Sequence, residues 1–247
     1  MKLDVYMSPR TAPSEVQGKV IAVIDVLRAS TSIAVALANG ARTVVPFESP
    51  DEAISRSRQL DRSEVVLAGE RKNLPIEGFD LGNSPGEFTR EAVEGRNVFI
   101  TTTNGTRALM RLQGARDVVV ASYVNHSAVS AMLRAAARSD AHILIVCAGE
   151  EGHFSLEDAA CAGRYVRTVT KDNPAIETND AALACALIDR KYGDNIAKIL
   201  KDASHGKALA EAGLGGDLVV CAALDTHPVV PVYQDNQITR LGHDRER

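Results

Sequence analysis

Two apolar runs in this chain end in a carboxylate and pass straight into residues that favour a turn or a helix start. The first is Val23-Ile24-Asp25-Val26-Leu27-Arg28-Ala29-Ser30-Thr31, and the second is Ile145-Val146-Cys147-Ala148-Gly149-Glu150. Such acids belong at the carboxyl edge of a sheet, where open α/β proteins bind their ligands. In the first run Arg28 follows Asp25 within one turn, and Ser30, Thr31 and Ser32 supply hydroxyls where a helix should begin. A helix start offers free N–H groups to an anion, and an arginine fork suits two oxygens of phosphate, sulfonate or carboxylate. An aspartate facing that anion needs a metal or a nucleophilic task to justify it. The competing structural role is that Ser30 caps the helix and Arg28 pairs with Asp25.

Thr101-Thr102-Thr103-Asn104-Gly105-Thr106-Arg107 offers similar chemistry without an acid. Its hydroxyls and glycine suit oxyanion contact, with Thr103, Asn104, Gly105 and Thr106 as candidates; the competing reading is a strand followed by an Asn-Gly turn. A third group follows Glu150, where Ser155 can cap a helix whose first turn holds Glu157 and Asp158. Asp158 then sits at the acid position of a capping box, which makes it more structural than Glu150, although both could reach one pocket. Hard oxygen ligands such as Asp25, Glu70 and Glu150, with no His-x-x-x-His or cysteine pair nearby, favour Mg2+ over zinc. His153 lies close to the acids and is a candidate proton donor or a solvated loop residue. His126, His142, His205, His227 and His243 have no such company.

These residues need a framework of strand ends, and the sequence supplies one. Valine- and isoleucine-rich runs alternate with alanine-rich stretches, the rhythm of βα units. Strands are expected at 20–26, 43–47, 64–68, 97–102, 117–121, 142–147 and 218–222. Helices are expected at 31–38, 50–60, 106–112, 127–138, 156–169, 180–192, 195–203 and 206–212. Several strands are apolar throughout, so helices should cover both faces of the sheet. Within 247 residues, Ser30 to Val45 can be laid on Asn104 to Val119, matching Gly40-Ala41-Arg42 with Gly114-Ala115-Arg116. Each glycine suits a helix end that needs positive φ. The expected architecture is therefore an α/β, three-layer α/β/α single domain over residues 1–247. Its mainly parallel or mixed sheet carries an internal repeat at about 20–60 and 96–138. Between the copies, residues 68–87 are dense in Gly, Pro and polar groups and read as a long ordered loop of functional kind. Residues 241–247 read as a frayed tail.

Bulk properties narrow the partner. The net charge of −4 is spread without long like-sign runs, so nothing supports a nucleic-acid surface. The four cysteines, Cys147, Cys161, Cys185 and Cys221, form no C-x-x-C pair and read as small buried apolar residues. No apolar stretch reaches the ~18 residues of a membrane span, and Met1-Lys2-Leu3-Asp4-Val5 lacks the pattern of a signal peptide. A cytoplasmic protein acting on a small molecule is expected, with homo-oligomer formation left open.

Five strings carry a resemblance: Ile24-Asp25-Val26-Leu27-Arg28-Ala29-Ser30-Thr31; Ala68-Gly69-Glu70-Arg71; Gly78-Phe79-Asp80-Leu81-Gly82-Asn83-Ser84-Pro85; Thr101-Thr102-Thr103-Asn104-Gly105-Thr106; and Cys147-Ala148-Gly149-Glu150 followed by Glu157-Asp158. Together, in this order, they closely resemble the 2-phosphosulfolactate phosphatase (ComB) family over nearly the whole chain. The resemblance implies an Mg2+-dependent hydrolase that converts 2-phospho-3-sulfolactate to 3-sulfolactate and phosphate on the route to coenzyme M. It also implies a three-layer α/β/α fold with internal duplication. The expected site then has Asp25, Arg28 and Glu150 in catalysis and Asp25, Glu70, Glu150 and Asp158 on the metal. Ser30, Thr31, Arg71, Asn83, Ser84, Thr103, Asn104, Gly105 and Thr106 are expected on the substrate. Asp25 is either the nucleophile or only a metal ligand. Alternatives are a phosphatase or phosphotransferase for another small 2-phospho-hydroxy acid, and a non-catalytic binding protein.

Overall fold

Val20–Ile24 (β2) is the element around which the sheet is built, and all five of its side chains are buried. Alternation explains how: Val20, Ala22 and Ile24 enter one core while Ile21 and Val23 enter another on the opposite face. The computed structural model describes residues 1–103, 105, 109, 112, 114–171 and 173–242. β2 lies between Asp117–Ala121 (β7) and Ile143–Cys147 (β8), parallel to both. Beyond β8 come Lys2–Tyr6 (β1) and the two-residue Glu177–Thr178 (β9), again parallel.

The other half of the sheet holds Thr43–Pro46 (β3), Asn97–Thr101 (β6) and Val65–Arg71 (β4), mutually parallel, with Leu74–Pro75 (β5) folded back antiparallel on β4. Pro231–Gln234 (β10) and Gln237–Arg240 (β11) form an antiparallel hairpin that inserts between the halves, β10 on β7 and β11 on β3. The order is β5-β4-β6-β3-β11-β10-β7-β2-β8-β1-β9, one mixed sheet of eleven strands.

Nine helices among the described residues cover its faces. Ala29–Ala38 (α1) packs Ile33, Val35 and Leu37 into one core with Ile21 and Val23. His126–Arg138 (α4), Leu156–Thr170 (α5), Asp180–Tyr192 (α6), Ile196–Asp202 (α7), Ser204–Glu211 (α8) and Gly215–Cys221 (α9) supply residues to the other core. Pro50–Ser57 (α2) covers β4 and β6 through Ala53 against Val65, Leu67 and Phe99. The short Arg90–Val93 (α3) leads into β6. The result is the expected three-layer α/β/α arrangement.

α1 ends with Gly40 at φ +96°, and the Ala41 N–H reaches back to the Ala36 carbonyl at 3.0 Å. This is the Schellman closure that its Gly-Ala-Arg string suggested. The aligned segments are interleaved across the sheet. β2 of the first pairs with β7 of the second, and β3 of the first pairs with β6 of the second. The expected helix over 106–112 lies largely outside the described residues, as do Asn104, Thr106 and the tail beyond residue 242.

Several expectations need correction. Residues 218–221 are helical within α9 and Ala222 caps its end; a short apolar run of this kind cannot be told from a strand by periodicity alone. β1, β5, β9, β10 and β11 are additions. The 68–87 segment is partly a hairpin, β4 to β5, followed by a 3-10 turn at Pro85–Glu87.

Ile145 in the middle of β8 is fully buried and distant from any polar group described below. Ile145→Ala is expected to lower the unfolding free energy by about 2–5 kcal/mol. Urea titration with an unchanged m-value is the check; a loss below ~1 kcal/mol would mean that the strand repacks.

Candidate active site

The site begins where β2 stops. The Asp25 Oδ1 accepts the Ala29 N–H at 3.3 Å, so the aspartate itself caps the start of α1. The Ser30 hydroxyl accepts the Asp25 N–H at 2.9 Å and turns toward the Val23 carbonyl at 3.4 Å. The Thr31 hydroxyl donates to the Val26 carbonyl at 2.9 Å and shares a hydrogen bond with Ser122 at 2.8 Å. Ser32 donates to the Asn83 carbonyl at 2.8 Å. All three hydroxyls are buried and consumed by the turn that aims Asp25. Ser30 and Thr31, expected on the substrate, are thus bonded within this turn and are not among the pocket-lining residues.

Glu70, near the end of β4, is buried and joins two loops. Its Oε1 accepts the Thr103 N–H at 2.7 Å, and its Oε2 accepts the Asn73 N–H at 2.9 Å and the Thr103 hydroxyl at 3.2 Å. Glu150 follows β8 in a tight turn closed by reciprocal backbone bonds with His153, at 3.1 and 2.8 Å. Asp25, Glu70 and Glu150 line one pocket together with Leu27, Arg28, Lys72, Asn73, Asn83, Thr102, Thr103, Glu151 and His205. Its volume is about 60 Å3. That is far below the ~300–1,000 Å3 of sites for drug-sized molecules and suits a small, highly charged ligand. A groove of about 800 Å3 between α4, α5 and α6 is larger, but its buried Asp189 is spent on Arg164 and Arg167.

Gly105 packs against the other side of Asp25. A Cβ there would lie 2.6 Å from the Ala29 Cβ and 2.8 Å from the Asp25 Oδ2. Gly105, expected on the substrate, leaves room here for the aspartate.

Arg28 does not pair with Asp25. One terminal nitrogen donates to Asp217 at 2.8 Å and to Ser84 at 3.3 Å, and the other donates to the Asn73 carbonyl at 3.2 Å. Ser84 donates to the same Asp217 oxygen at 2.9 Å, so it orients Arg28 instead of lining the pocket. The Arg71 guanidinium, expected on the substrate, bonds Thr101 at 2.8 Å and the carbonyls of Glu48 and Glu70, and Arg71 is not among the pocket-lining residues. Asn83 does line the pocket, and its buried Oδ1 has no hydrogen-bond partner. A buried acceptor without a donor is costly, so this atom is poised for a cation, a water or a ligand hydroxyl.

Asp158 is the fourth acid expected on the metal. It lies outside the pocket, accepting the Val26 N–H at 2.8 Å and the Gly149 N–H at 3.0 Å, which clips the end of β2 to the end of β8. Burial, helped by neighbouring Glu157 and Asp25, pushes its carboxyl well up. The capping box does not form, since Ser155 makes no side-chain cap.

Two functional candidates escaped the sequence. Asp217 opens α9, where residues had suggested a strand. His205 opens α8, with Nδ1 3.5 Å from the Glu157 Oε1 and Nε2 3.2 Å from the Asn73 Oδ1. His153, the histidine favoured by proximity in sequence, is exposed and outside the pocket. The helix expected at 206–212 begins at Ser204 instead, which brings His205 into its first turn.

Electrostatics follow from this crowding. Burial raises the Asp25 carboxyl to about 6, against the opposing pull of His205 and the Ala29 N–H, with Glu70 and Glu157 adding to the rise. Burial would lower the His205 imidazole, but the Glu157 hydrogen bond and the charges of Glu157, Asp25 and Glu150 outweigh it and leave it raised.

The protein thus has an α/β fold with a small acid-lined pocket at its strand ends. The family model described as 2-phosphosulpholactate phosphatase matches residues 6–236. A protein of Symbiobacterium thermophilum named a probable 2-phosphosulfolactate phosphatase is 44% identical over 227 residues, 92% of this chain and 96% of that one. Proteins with the same name from Caldanaerobacter subterraneus subsp. tengcongensis and Clostridium beijerinckii are 39% and 36% identical, covering 93% and 97% of this chain and 93% and 99% of theirs. The chain belongs to the 2-phosphosulfolactate phosphatase family.

Two outcomes are expected. Folding favours the protonated Asp25, so this stabilisation is present below its unfolded value of 3.8 and is lost as pH rises through about 6. In metal-free protein, Asp25→Asn should therefore gain up to about 3 kcal/mol over wild type at pH 8, the gap closing near pH 4. Thermal melts at both pH values test this; equal melting at pH 8 would refute it. Gly105→Ala should displace Asp25 or Ala29 and cost about 10²-fold in kcat, read in a steady-state assay of phosphate release.

Proposed function

We propose that the chain catalyses Mg2+-dependent hydrolysis of 2-phospho-3-sulfolactate to 3-sulfolactate and phosphate. The observation that carries this reading is the meeting of Asp25, Glu70 and Glu150, from the ends of three strands, in one small pocket with Arg28 and Lys72. A site for phosphate alone would not gather carboxylates, because like charge opposes the ligand. Carboxylates beside cationic donors suit a phosphate ester together with a divalent cation.

The donor set fits Mg2+. All three acids offer hard oxygen, and the unpartnered Asn83 Oδ1 adds a fourth acceptor at the same wall. Among the described residues no group of three or more His, Cys, Asp or Glu side chains is placed to hold a metal ion by itself. Mg2+ does not require one, since it keeps several waters and binds through one or two carboxylates plus substrate phosphate. Asp25 and Glu150 are the residues that would hold it, with Glu70 behind them. The ion would supply charge neutralisation at the phosphoryl oxygens.

The chain's own groups divide the remaining work. Lys72 and the N–H groups of Arg28 not spent on Asp217, Ser84 and Asn73 face the anionic groups of the substrate. Asp217, Ser84 and the Asn73 carbonyl keep the guanidinium in one orientation. Asp25, aimed by the Ser30 turn, either attacks phosphorus or binds the metal while water attacks.

Phosphate release from a panel of phosphorylated 2-hydroxy acids, with Mg2+ and with a chelator, tests the reading. The fastest turnover is expected with 2-phospho-3-sulfolactate, abolished by chelation and restored by Mg2+. Faster turnover of a carboxylate analogue lacking sulfonate would reassign the substrate, and binding without release would make the protein a sensor. Labelled phosphate trapped on Asp25 would identify it as the nucleophile.

A further inference from the structure

We propose that His205, backed by Glu157, is the proton donor to the leaving oxygen of the phosphate ester. This rests on the hydrolytic reading above. An alkyl phosphate expels an alkoxide, a poor leaving group unless a proton reaches it as the P–O bond breaks. A positioned acid supplies about 10²–10⁴-fold at such a step. Some group in the pocket must carry that proton, and the acids that surround a cation are poorly placed to do so.

His205 has the required position. It borders the pocket while only 8% exposed, at the start of α8, where a packed helix fixes its backbone. Behind it, Glu157 on α5 is 2% exposed and sits 3.5 Å from Nδ1. A buried carboxylate at one ring nitrogen fixes the orientation of the ring and stabilises its charged form. On the other side Nε2 lies 3.2 Å from the Asn73 Oδ1, at the tip of the β4–β5 turn. Both partners are acceptors with the amide oxygen turned to the ring, so a doubly protonated imidazole satisfies both.

The groups facing the ring come from every neighbouring element. Glu157 approaches from α5, Asp25 from the end of β2 and Glu150 from the turn after β8. Arg28, Glu70 and Lys72 line the same pocket. The acids prevail, and the imidazole is held above its ordinary value despite burial. Asn73 also ties this corner to the rest of the site, since its N–H reaches Glu70 and its carbonyl receives Arg28. A substrate oxygen that takes the place of the Asn73 amide at Nε2 would meet the proton directly.

The step balances as follows. A water oxygen bonds to phosphorus, and the bond from phosphorus to the ester oxygen breaks with its electron pair on that oxygen. The ester oxygen takes the Nε2 proton and leaves as the hydroxyl of the product. The proton released by the attacking water passes to solvent, from which the imidazole recovers one. The net change is ester plus water to hydroxy acid plus phosphate.

His205→Gln and Glu157→Gln, assayed with Mg2+, test the assignment. With the alkyl substrate, His205→Gln should lower kcat by about 10²–10⁴-fold, with KM changed only a few-fold, and should abolish the alkaline limb of the kcat profile. With aryl phosphates, whose leaving groups need no proton, the loss should be under about tenfold. Glu157→Gln should keep the limb but move it to lower pH, because the charge that raises the imidazole is gone. An Mg2+-dependent rise in melting temperature in both variants would show that the fold and cation site survive. Equal losses on alkyl and aryl esters, a retained alkaline limb in His205→Gln, or a KM effect alone would overturn the assignment. If wild type hydrolyses a different 2-phospho acid, only the substrate reading fails and the same test runs on that ester. If wild type hydrolyses no phosphate ester, both fall.

Discussion

Buried carboxylates that accept backbone N–H groups are the constraint on which this site depends. Asp158 bridges the Val26 and Gly149 N–H groups, and Glu70 bridges those of Asn73 and Thr103. Each joins segments far apart in the chain at the ends of strands. A buried carboxyl group is expensive unless such donors compensate it, so neither loop pair can drift without stranding buried polar groups. The first clip holds the ends of β2 and β8, which carry Asp25 and Glu150. The second holds the end of β6 against the turn after β4. The chemistry therefore inherits its geometry from acids that do not all face the ligand.

The strand order makes the same point on a larger scale. The halves of the sheet are joined by the β10–β11 hairpin, and each aligned segment gives its first strand to one half and its second to the other. Neither segment can be removed as a folded unit. Asp25 and Glu150 come from one half, Glu70 and Thr103 from the other, and Arg28 is oriented by Asp217 from the last helix. A pocket drawn from residues 25 to 217 exists only after the whole sheet and its C-terminal helices have assembled. This long-range construction accords with relatives that align over nearly their full length.

What was legible in the sequence was the part written locally. An apolar run ending in Asp25 or Glu150 declares a strand end, and a strand end in an α/β protein declares a site. The central strands and most helices follow from the same periodicities. The partners of the hydroxyls were not legible, because Ser30 and Thr31 at a helix start look identical whether they bond a ligand or their own turn. The same holds for Arg71 and Asp158: the type of a charged residue says nothing about which backbone groups it will bond. His205 and Asp217 were invisible because amphipathic helices present polar residues routinely, and only tertiary packing turns these two toward the acids. Val219 and Val220 in a short apolar run fit strand and helix equally, and α9 won through its glycine-rich start.

Charge balance explains why the pocket takes this form. Arg28 is largely answered by Asp217, and His205 by Glu157, so their positive charge is already partly spent before any ligand arrives. Asp25, Glu70 and Glu150 then leave a negative surplus in a confined, poorly solvated space, which is why burial can lift Asp25 to about 6. A phosphate ester entering such a pocket alone would meet repulsion from three sides. A divalent cation entering first would reverse that, returning Asp25 to its charged form and converting the surplus into a ligand set. On the proposed reading the acid cluster and the anion donors are not contradictory features: Asp25 and Glu150 would hold the cation, and the remaining donors of Arg28 and Lys72 would receive the anionic groups of the substrate.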